Sequence, residues 1–318
     1  EWYKNKSEDL LYSVPVPAQT GVSNTSVTMN AASMENSGFE FSATYRNRDH
    51  AFKYDISANL STLKNKVTSL GIGKDSYISG AYATYVGQEI GQFYGWVYEG
   101  IARTQADLDN HATQQGVNVG DCLYKDISGP EGTPDGVIDA YDQTVLGSGL
   151  PKVNFGLSTH MEYKGFDLNI STYGVLNYHV SDDIYNSLNS CYGYGNKEVG
   201  MLDANRWSED GTYLSSVPRT YAANNATLAW NDLFCSRKIQ NAAYWKIANV
   251  ELGYNFPDKW FGGYVSGVRL YVSAQNLYTF TGYHGYNVDY AGGTFTPGYN
   301  FCSFPSARTF MAGLHFTF

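Results

Sequence analysis

The sequence has little charge and no long apolar run. Charged residues are 16% of its 318 residues, whereas soluble domains carry about a quarter. Nowhere do about eighteen apolar residues follow one another, which excludes a transmembrane helix of ordinary length. The 21 Lys and Arg are outnumbered by 30 Asp and Glu, and this acidic balance argues against nucleic acid as a partner.

A leader segment is also missing from the start of the chain. Glu1, Trp2 and Tyr3 open a strand-like pattern without a basic region or an apolar core of a signal peptide. We therefore expect the chain to be the C-terminal piece of a longer product, with removal of a signal peptide as the alternative.

The residues that are abundant point to β-structure. There are 28 Tyr and 33 Gly, and apolar residues alternate with polar ones in seven segments and more weakly over 2–12. The seven segments are 39–46, 52–60, 153–162, 166–171, 248–256, 268–275 and 307–318. In the last of them Phe310, Ala312 and Leu314 fall on one face while Met311 and His315 fall on the other. A period of two marks a strand whose faces meet different surroundings.

The length of these eight strands favours a membrane barrel. Most reach about ten residues, enough to cross a hydrocarbon core of about 30 Å when tilted. Their apolar faces carry no Lys or Arg, either of which would cost about 2–4 kcal/mol at mid-bilayer. Strands of soluble sandwiches run about five or six residues. We predict an all-β fold, a transmembrane antiparallel β-barrel, with a soluble all-β glycan-binding module as the alternative.

The connections between the strands alternate in length. Short connections at 47–51, 163–166 and 256–263 separate long ones, which are 13–32, 67–151, 181–236 and 277–304. Outer-membrane barrels combine short periplasmic turns with long extracellular loops. This pattern predicts a location in the bacterial outer membrane, with the C-terminus periplasmic and the long loops extracellular.

An ordered series of motifs runs along almost the whole chain. The series is EDLL (8–11), VPVP (14–17), SMENSGFE (33–40), KNKVT (64–68), GQFYGWVYEGI (91–101), DGVID (135–139), YKGFDL (163–168), SAQNLYTFT (273–281) and the terminal Phe318. Each motif alone is weak, but the set in this order is specific. It resembles the C-terminal part of a SusC-like TonB-dependent outer-membrane transporter, one of the nutrient importers of Bacteroidetes.

The resemblance implies a protein larger than this chain. The family has a 22-stranded barrel with an N-terminal plug domain and a TonB-contacting segment, and neither of those two parts is recognised here. Residues 1–318 would supply the last eight strands. An open sheet is not viable alone in a bilayer, so the remaining strands and the plug are expected partners. Closure of eight strands into a small adhesin or structural barrel is the alternative.

The resemblance also implies a role. Members of the family import large nutrients, most often oligosaccharides and sometimes peptides, with energy delivered through TonB. A SusD-like surface lipoprotein covers the extracellular mouth as a lid. We expect import of an oligosaccharide, with a peptide as the alternative cargo. Enzymatic activity is not expected, since the sequence has no metalloprotease, nucleophile-elbow or P-loop motif.

A carboxylate-rich segment in loop 67–151 is similar to a calcium loop. Oxygen ligands in a matching order come from Asp126, Ser128, Asp135, the Val137 carbonyl, Asp139 and Asp142. The inserted stretch 129–134, and Asp142 in place of the usual Glu, depart from the family pattern. We predict Ca²⁺ or Mg²⁺ binding here, with an ion-free turn as the alternative.

Four cysteines fall in the predicted loops. A bridge within one loop (Cys191–Cys235) and a bridge between two loops (Cys122–Cys302) would suit an oxidising compartment. Free thiols are the alternative.

Aromatic residues crowd the same loops. Flat rings with a polar handle suit recognition surfaces, sugars included, and we assign substrate or lid contact to Tyr94, Trp96, Tyr98, Trp207, Tyr286 and Tyr290. Packing within the loops is the alternative. On the polar strand faces, Arg46, Arg269 and Glu251 are expected to line the barrel interior or to meet the plug.

Overall fold

Strands are the main regular structure in the described part of the chain, and there is very little helix. A computed structural model describes residues 1–15, 26–71, 74–190, 217–219, 230–260, 265–289, 292–301 and 303–318. Two short helices, α1 (Gln105–Asp109) and α2 (Asp183–Leu188), lie between strands. No helix in these ranges is long and apolar enough to span a membrane.

Strands of very different length make up the described part of the chain. In chain order they are β1 (Trp2–Pro15), β2 (Ser26–Asn47), β3 (Phe52–Thr62), β4 (Lys64–Leu70), β5 (Ser76–Ser79), β6 (Tyr82–Tyr85), β7 (Gln92–Gly95), β8 (Tyr98–Ile101), β9 (Cys122–Tyr124), β10 (Thr144–Ser148), β11 (Val153–Tyr163), β12 (Phe166–Leu176), β13 (His179–Asp182), β14 (Gln240–Asn241), β15 (Tyr244–Phe256), β16 (Gly267–Thr281), β17 (Gly292–Gly293), β18 (Thr296–Pro297), β19 (Tyr299–Asn300) and β20 (Thr309–Thr317).

Eight long strands form one antiparallel sheet, as predicted. Their order is β1-β2-β3-β11-β12-β15-β16-β20, so each strand pairs with the next long strand along the chain. Among the described residues no backbone pairing joins β1 to β20. The sheet is therefore open at both edges, and the closed eight-stranded barrel that stood as an alternative is not formed.

A tight hairpin fixes the register at the centre of the sheet. Tyr163 pairs with Phe166 across a two-residue turn, and both turn residues have positive φ, 49° at Lys164 and 87° at Gly165. Two left-handed residues make the turn whose twist matches that of flanking strands, and glycine adopts this conformation without strain. Because side chains alternate between faces, this register keeps the apolar residues of both strands on one side.

The first long connection is shorter than predicted. Strand β1 continues to Pro15 and β2 begins at Ser26, so residues 13–15 and 26–32 of the predicted loop 13–32 are paired strand. Alternation is weak there because the upper part of β2 also pairs with β4, Ala32 opposite Leu70. Ala32, Val67 and Leu70 are buried in one cluster at this end, so neither face of this part of the sheet is uniformly polar.

In their described residues the other long connections contain small sheets. The chain between β3 and β11 contains a four-stranded sheet of order β10-β7-β6-β5 and the pair β8-β9. Strand β13 pairs with both β14 and β19, which come from different connections. We call the described residues of 71–150, 177–243 and 282–301 the loop layer, and it lies at the end of the sheet opposite the short turns.

Candidate functional site

One face of the long sheet is apolar and uncovered. The paired residues of a single row across six strands are Phe52, Tyr163, Phe166, Tyr254, Leu270 and Leu314. Phe166 and Leu314 are more than half exposed. A soluble protein seldom leaves a continuous apolar surface of this extent in water, and lipid-facing barrel strands show this alternation. We call it the outer face.

Aromatic rings mark two levels of the outer face. At the turn end Phe166 packs on Tyr254 with ring centroids 4.6 Å apart. At the loop end Trp245 stacks on Phe280 at 5.4 Å. Trp245 pairs with Gly174, eight residues along β12 from Phe166, which corresponds to about 26 Å of strand. The two levels match the aromatic girdles that flank an apolar band about 25 Å tall in outer-membrane barrels.

The opposite face of the sheet is polar, and we call it the inner face. Halfway along the strands it carries a complete row of hydroxyl and amide side chains, which are Thr44, Ser57, Ser158, Ser171, Asn249, Gln275 and Thr309. Such side chains donate and accept hydrogen bonds without carrying charge. This row presents a neutral surface that can bond with uncharged polar molecules.

Ionised residues of the inner face gather at the turn end. The Arg269 guanidinium donates to Asp167 at 2.5 Å and to Glu251 at 2.7 Å. Beside them His160 contacts the Glu162 carboxylate through Nε2 at 2.8 Å. The predicted interior positions Arg269 and Glu251 therefore lie in one bonded group on the inner face. Their contact with a plug stays a prediction.

A buried ion pair holds two parts of the loop layer together. Arg219 donates from Nε to Asp121 Oδ1 at 2.6 Å and from Nη2 to Oδ2 at 2.9 Å. Asp121 is 2% exposed and also accepts from the Asn231 amide. The neighbouring carboxylate raises the pKa of Arg219. Bidentate geometry of this kind fixes orientation as well as distance, so the two connections form one folded body.

Two of the predicted contact aromatics are packed inside the loop layer. The Trp96 indole donates to the Asp139 carbonyl at 3.3 Å and its ring lies 6.2 Å from that of Tyr124. Tyr98 lies under the Arg237 guanidinium, and burial raises the pKa of Tyr98 to about 12. In the structure these rings brace the loops, which is the packing alternative.

The remaining predicted aromatics are placed differently. Tyr94 is half-buried in β7. Tyr286 is 64% exposed and lines a cavity on the inner face. Trp207 and Tyr290 lie outside the described residues. Substrate or lid contact therefore stays a prediction for these side chains, with Tyr286 in the position that suits it.

The predicted calcium loop is organised by hydrogen bonds within the protein. Asp142 is fully buried, and its carboxylate accepts the backbone N–H of Ile127, Ser128 and Asp139. Asp126 Oδ2 accepts from Gly136 at 2.6 Å, while its Oδ1 is buried and has no hydrogen-bond partner.

Asp135 and Asp139 complete the carboxylates of this turn. Asp135 accepts from the Val137 N–H and Asp139 from the Tyr141 N–H, and Ser128 Oγ donates to the Gly129 carbonyl. Among the described residues no group of three or more His, Cys, Asp or Glu side chains is arranged to hold a metal. Calcium or magnesium binding by this loop stays a prediction.

Each predicted cysteine bridge has one partner outside the described residues, so both pairings stay predictions. In the described part of the chain Cys235 is a buried thiol. Cys122 is buried in the same cluster, beside Tyr124 and Ile138. Cys191 and Cys302 lie outside the described residues. Cys235 lies in a connection between strands but is buried, because the connections pack against one another around an apolar cluster.

The loop layer contains a second buried acid. Asp182 is 4% exposed. It accepts the N–H of Tyr185 at the start of α2, the hydroxyl of Tyr283 and the amide of Asn300 at 3.2 Å. Its two partners beyond α2 come from more than a hundred residues away, which no local pattern could indicate.

The structure also brings together a cluster that the sequence did not single out. Lys246, on the inner face of β15, donates to Asp289 Oδ2 at 2.5 Å, and the Tyr173 hydroxyl donates to Asp289 Oδ1 at 3.2 Å. Alternation counted back from Val250 would place Lys246 on the apolar face, but a β-bulge between Ile247 and Asn249 shifts the register and turns Lys246 to the inner face. Nothing in the sequence around its partner Asp289, in the connection after β16, indicates this contact.

Comparisons with known proteins agree with this architecture. The chain is 31% identical over 337 residues to TonB-dependent receptor P3 of Formosa agariphila, covering 100% of this chain and 32% of the relative. It is 27% identical over 331 residues to TonB-dependent receptor SusC of Bacteroides thetaiotaomicron, covering 99% of this chain and 29% of the relative. Comparison with protein-family models gives no match.

A solved structure shares the fold. The chain matches a chain of the RagAB peptide transporter with a TM-score of 0.77 and 22% identity, over 98% of this chain and 32% of that one. The sheet described above therefore has the fold of about a third of that barrel. The chain spans about a third of the length of the curated relatives it matches.

Proposed function

We propose that this chain is the C-terminal part of the barrel of an outer-membrane nutrient importer. Its whole length matches about a third of the length of each of two TonB-dependent receptors, one of them SusC. The open sheet with an apolar outer face and a polar inner face is the observation that carries this proposal. Its two free edges would pair with the remaining strands of the barrel, because unpaired backbone groups are not tolerated in lipid.

The cargo is a large neutral nutrient, an oligosaccharide. Support comes from the hydroxyl and amide row at the middle of the inner face, which offers hydrogen bonds without charge. A peptide is the second candidate, because a structurally similar chain belongs to a transporter named for peptides.

The partners follow from the same proposal. A SusD-like surface lipoprotein would sit on the loop layer, whose bonded connections form a firm extracellular platform. TonB would act through the plug, outside this chain, and supply the energy for import. The long connections would face the cell exterior and the short turns the periplasm.

Uptake by intact cells tests the proposal. Cells that lack the gene should lose uptake of fluorescent neutral hexasaccharides and regain it with the wild-type gene. An ionophore that collapses the proton-motive force should abolish the regained uptake. Unchanged uptake of both hexasaccharides and a peptide mixture in the deletion strain would contradict the proposal, whereas loss of peptide uptake alone would assign the peptide cargo.

A further inference from the structure

A small polar cavity opens on the inner face at the loop end of β15 and β16. Its volume is about 180 Å³, and its walls include the side chains of Asn276, Thr279, Thr281, Asn287 and Ser306. Pockets that enclose a whole small-molecule ligand measure about 300–1,000 Å³. This cavity is therefore large enough for one unit of a longer chain, the rest of which would continue along the inner face.

The charges in this cavity cancel. The Lys246 ammonium bonds to Asp289 at 2.5 Å, and the same carboxylate accepts the Tyr173 hydroxyl. Lys246 also lies over the Tyr173 ring, 5.8 Å from its centroid. The lysine side chain is only 4% exposed, so an entering molecule meets a compensated pair and neutral hydrogen-bonding groups.

An exposed ring stands at the same cavity. Tyr286 is 64% exposed and lines the cavity together with Asn287. A flat ring with a polar tip covers apolar ring faces at low entropy cost. A sugar unit has apolar C–H faces and a rim of hydroxyl groups, and this combination of ring and polar walls matches both.

We propose that this cavity is a subsite for one uncharged sugar unit of an oligosaccharide, with Tyr286 as its stacking platform and the Lys246–Asp289 pair as its neutral floor. The proposal rests on the function proposed above and names the residues that would select the cargo. A peptide fits less well, because its charged side chains and termini would find both ions of the cavity already paired, and a buried charge without a partner is costly.

Binding to the full-length protein with its lipoprotein partner tests the subsite. The probes are neutral hexasaccharides of glucose, galactose, mannose or xylose, measured by titration calorimetry in detergent. Tyr286→Ala should weaken binding of the hexasaccharide that binds wild type by about tenfold, and Tyr286→Phe should retain most of the affinity. Tyr141→Ala, at an exposed tyrosine elsewhere in the loop layer, should leave the affinity unchanged.

A charge variant makes the test independent of stacking. Asp289→Asn leaves the Lys246 charge uncompensated, so affinity for uronate-containing hexasaccharides should rise relative to neutral ones. Wild-type binding that neither Tyr286→Ala nor Asp289→Asn alters would overturn the subsite while leaving the proposed import intact. Failure of wild type to bind any hexasaccharide would instead contradict the oligosaccharide cargo itself, and a peptide panel that then binds would reassign it.

Discussion

Arg269 reaches across an entire strand to bind Asp167. Asp167 is on β12 and Arg269 on β16, with β15 between them, yet Nη2 lies 2.5 Å from Oδ1. The bridge passes over Gly253, where an added Cβ would lie 2.5 Å from Arg269 Nη2 and 2.6 Å from Asp167 Oδ2. A glycine in a strand interior often marks such a close approach.

Gly253→Ala should therefore displace the guanidinium and lower the free energy of unfolding by about 1.5 kcal/mol. Urea unfolding of the full-length protein in lipid vesicles measures this loss. Gly267→Ala is the matched control, because its nearest neighbour would be Thr317 at 3.7 Å, an ordinary contact. In the background of Arg269→Met the effect of Gly253→Ala should shrink. An undiminished effect in that double variant would disconnect the glycine from the bridge.

The outer face predicts an asymmetric response to charge. Val250 pairs with Ile170 and Ala274 on the outer face at mid-sheet, so Val250→Arg should cost about 2–4 kcal/mol and reduce insertion into vesicles. The adjacent Asn249 faces inward, and Asn249→Arg should insert almost normally. Equal insertion of the two variants would show that the two faces are not lipid and lumen.

The strands that could be predicted from the sequence are those with one apolar face and one polar face. Phe166 and Leu314 alternate with polar neighbours because the outer face is uniformly apolar, so the eight strands could be predicted from a period of two. The upper part of β2 could not be predicted as a strand, because it pairs with β4 and its Ala32 is buried against Val67 and Leu70 of that strand. Lys246 and Asp289 are 43 residues apart, and only tertiary folding brings them to one cavity.

Tyr98 provides a pH-dependent test of packing in the loop layer. Burial raises its pKa to about 12, above about 10 for a free tyrosine. Because the pKa of Tyr98 is higher in the folded state, the neutral phenol stabilises the fold fully below pH 10, and this stabilisation is lost as the pH rises through 12. The ultraviolet difference titration between wild type and Tyr98→Phe should show one phenol ionising near pH 12. Ionisation near pH 10 would place Tyr98 in water.

Asp142 should keep the backbone of the predicted calcium loop folded. Asp142→Ala removes three backbone hydrogen bonds, and loss of such bonds to a buried carboxylate should cost about 2 kcal/mol locally. Hydrogen exchange at Ile127, Ser128 and Asp139 should then accelerate at least tenfold, about 1.4 kcal/mol. Exposed Glu131→Ala is the control and should leave these amides protected. Added Ca²⁺ should slow exchange of the wild-type loop further, and an unchanged rate would contradict the predicted ion.

Intact mass with peptide mapping of protein extracted from outer membranes tests most directly whether this chain is one part of a larger membrane barrel. We expect peptides of residues 1–318 and peptides preceding Glu1 to belong to a single polypeptide about three times as long, in line with the 32% coverage of a relative. A lone species of 35.2 kDa in that membrane fraction would show that the chain is not part of a larger barrel.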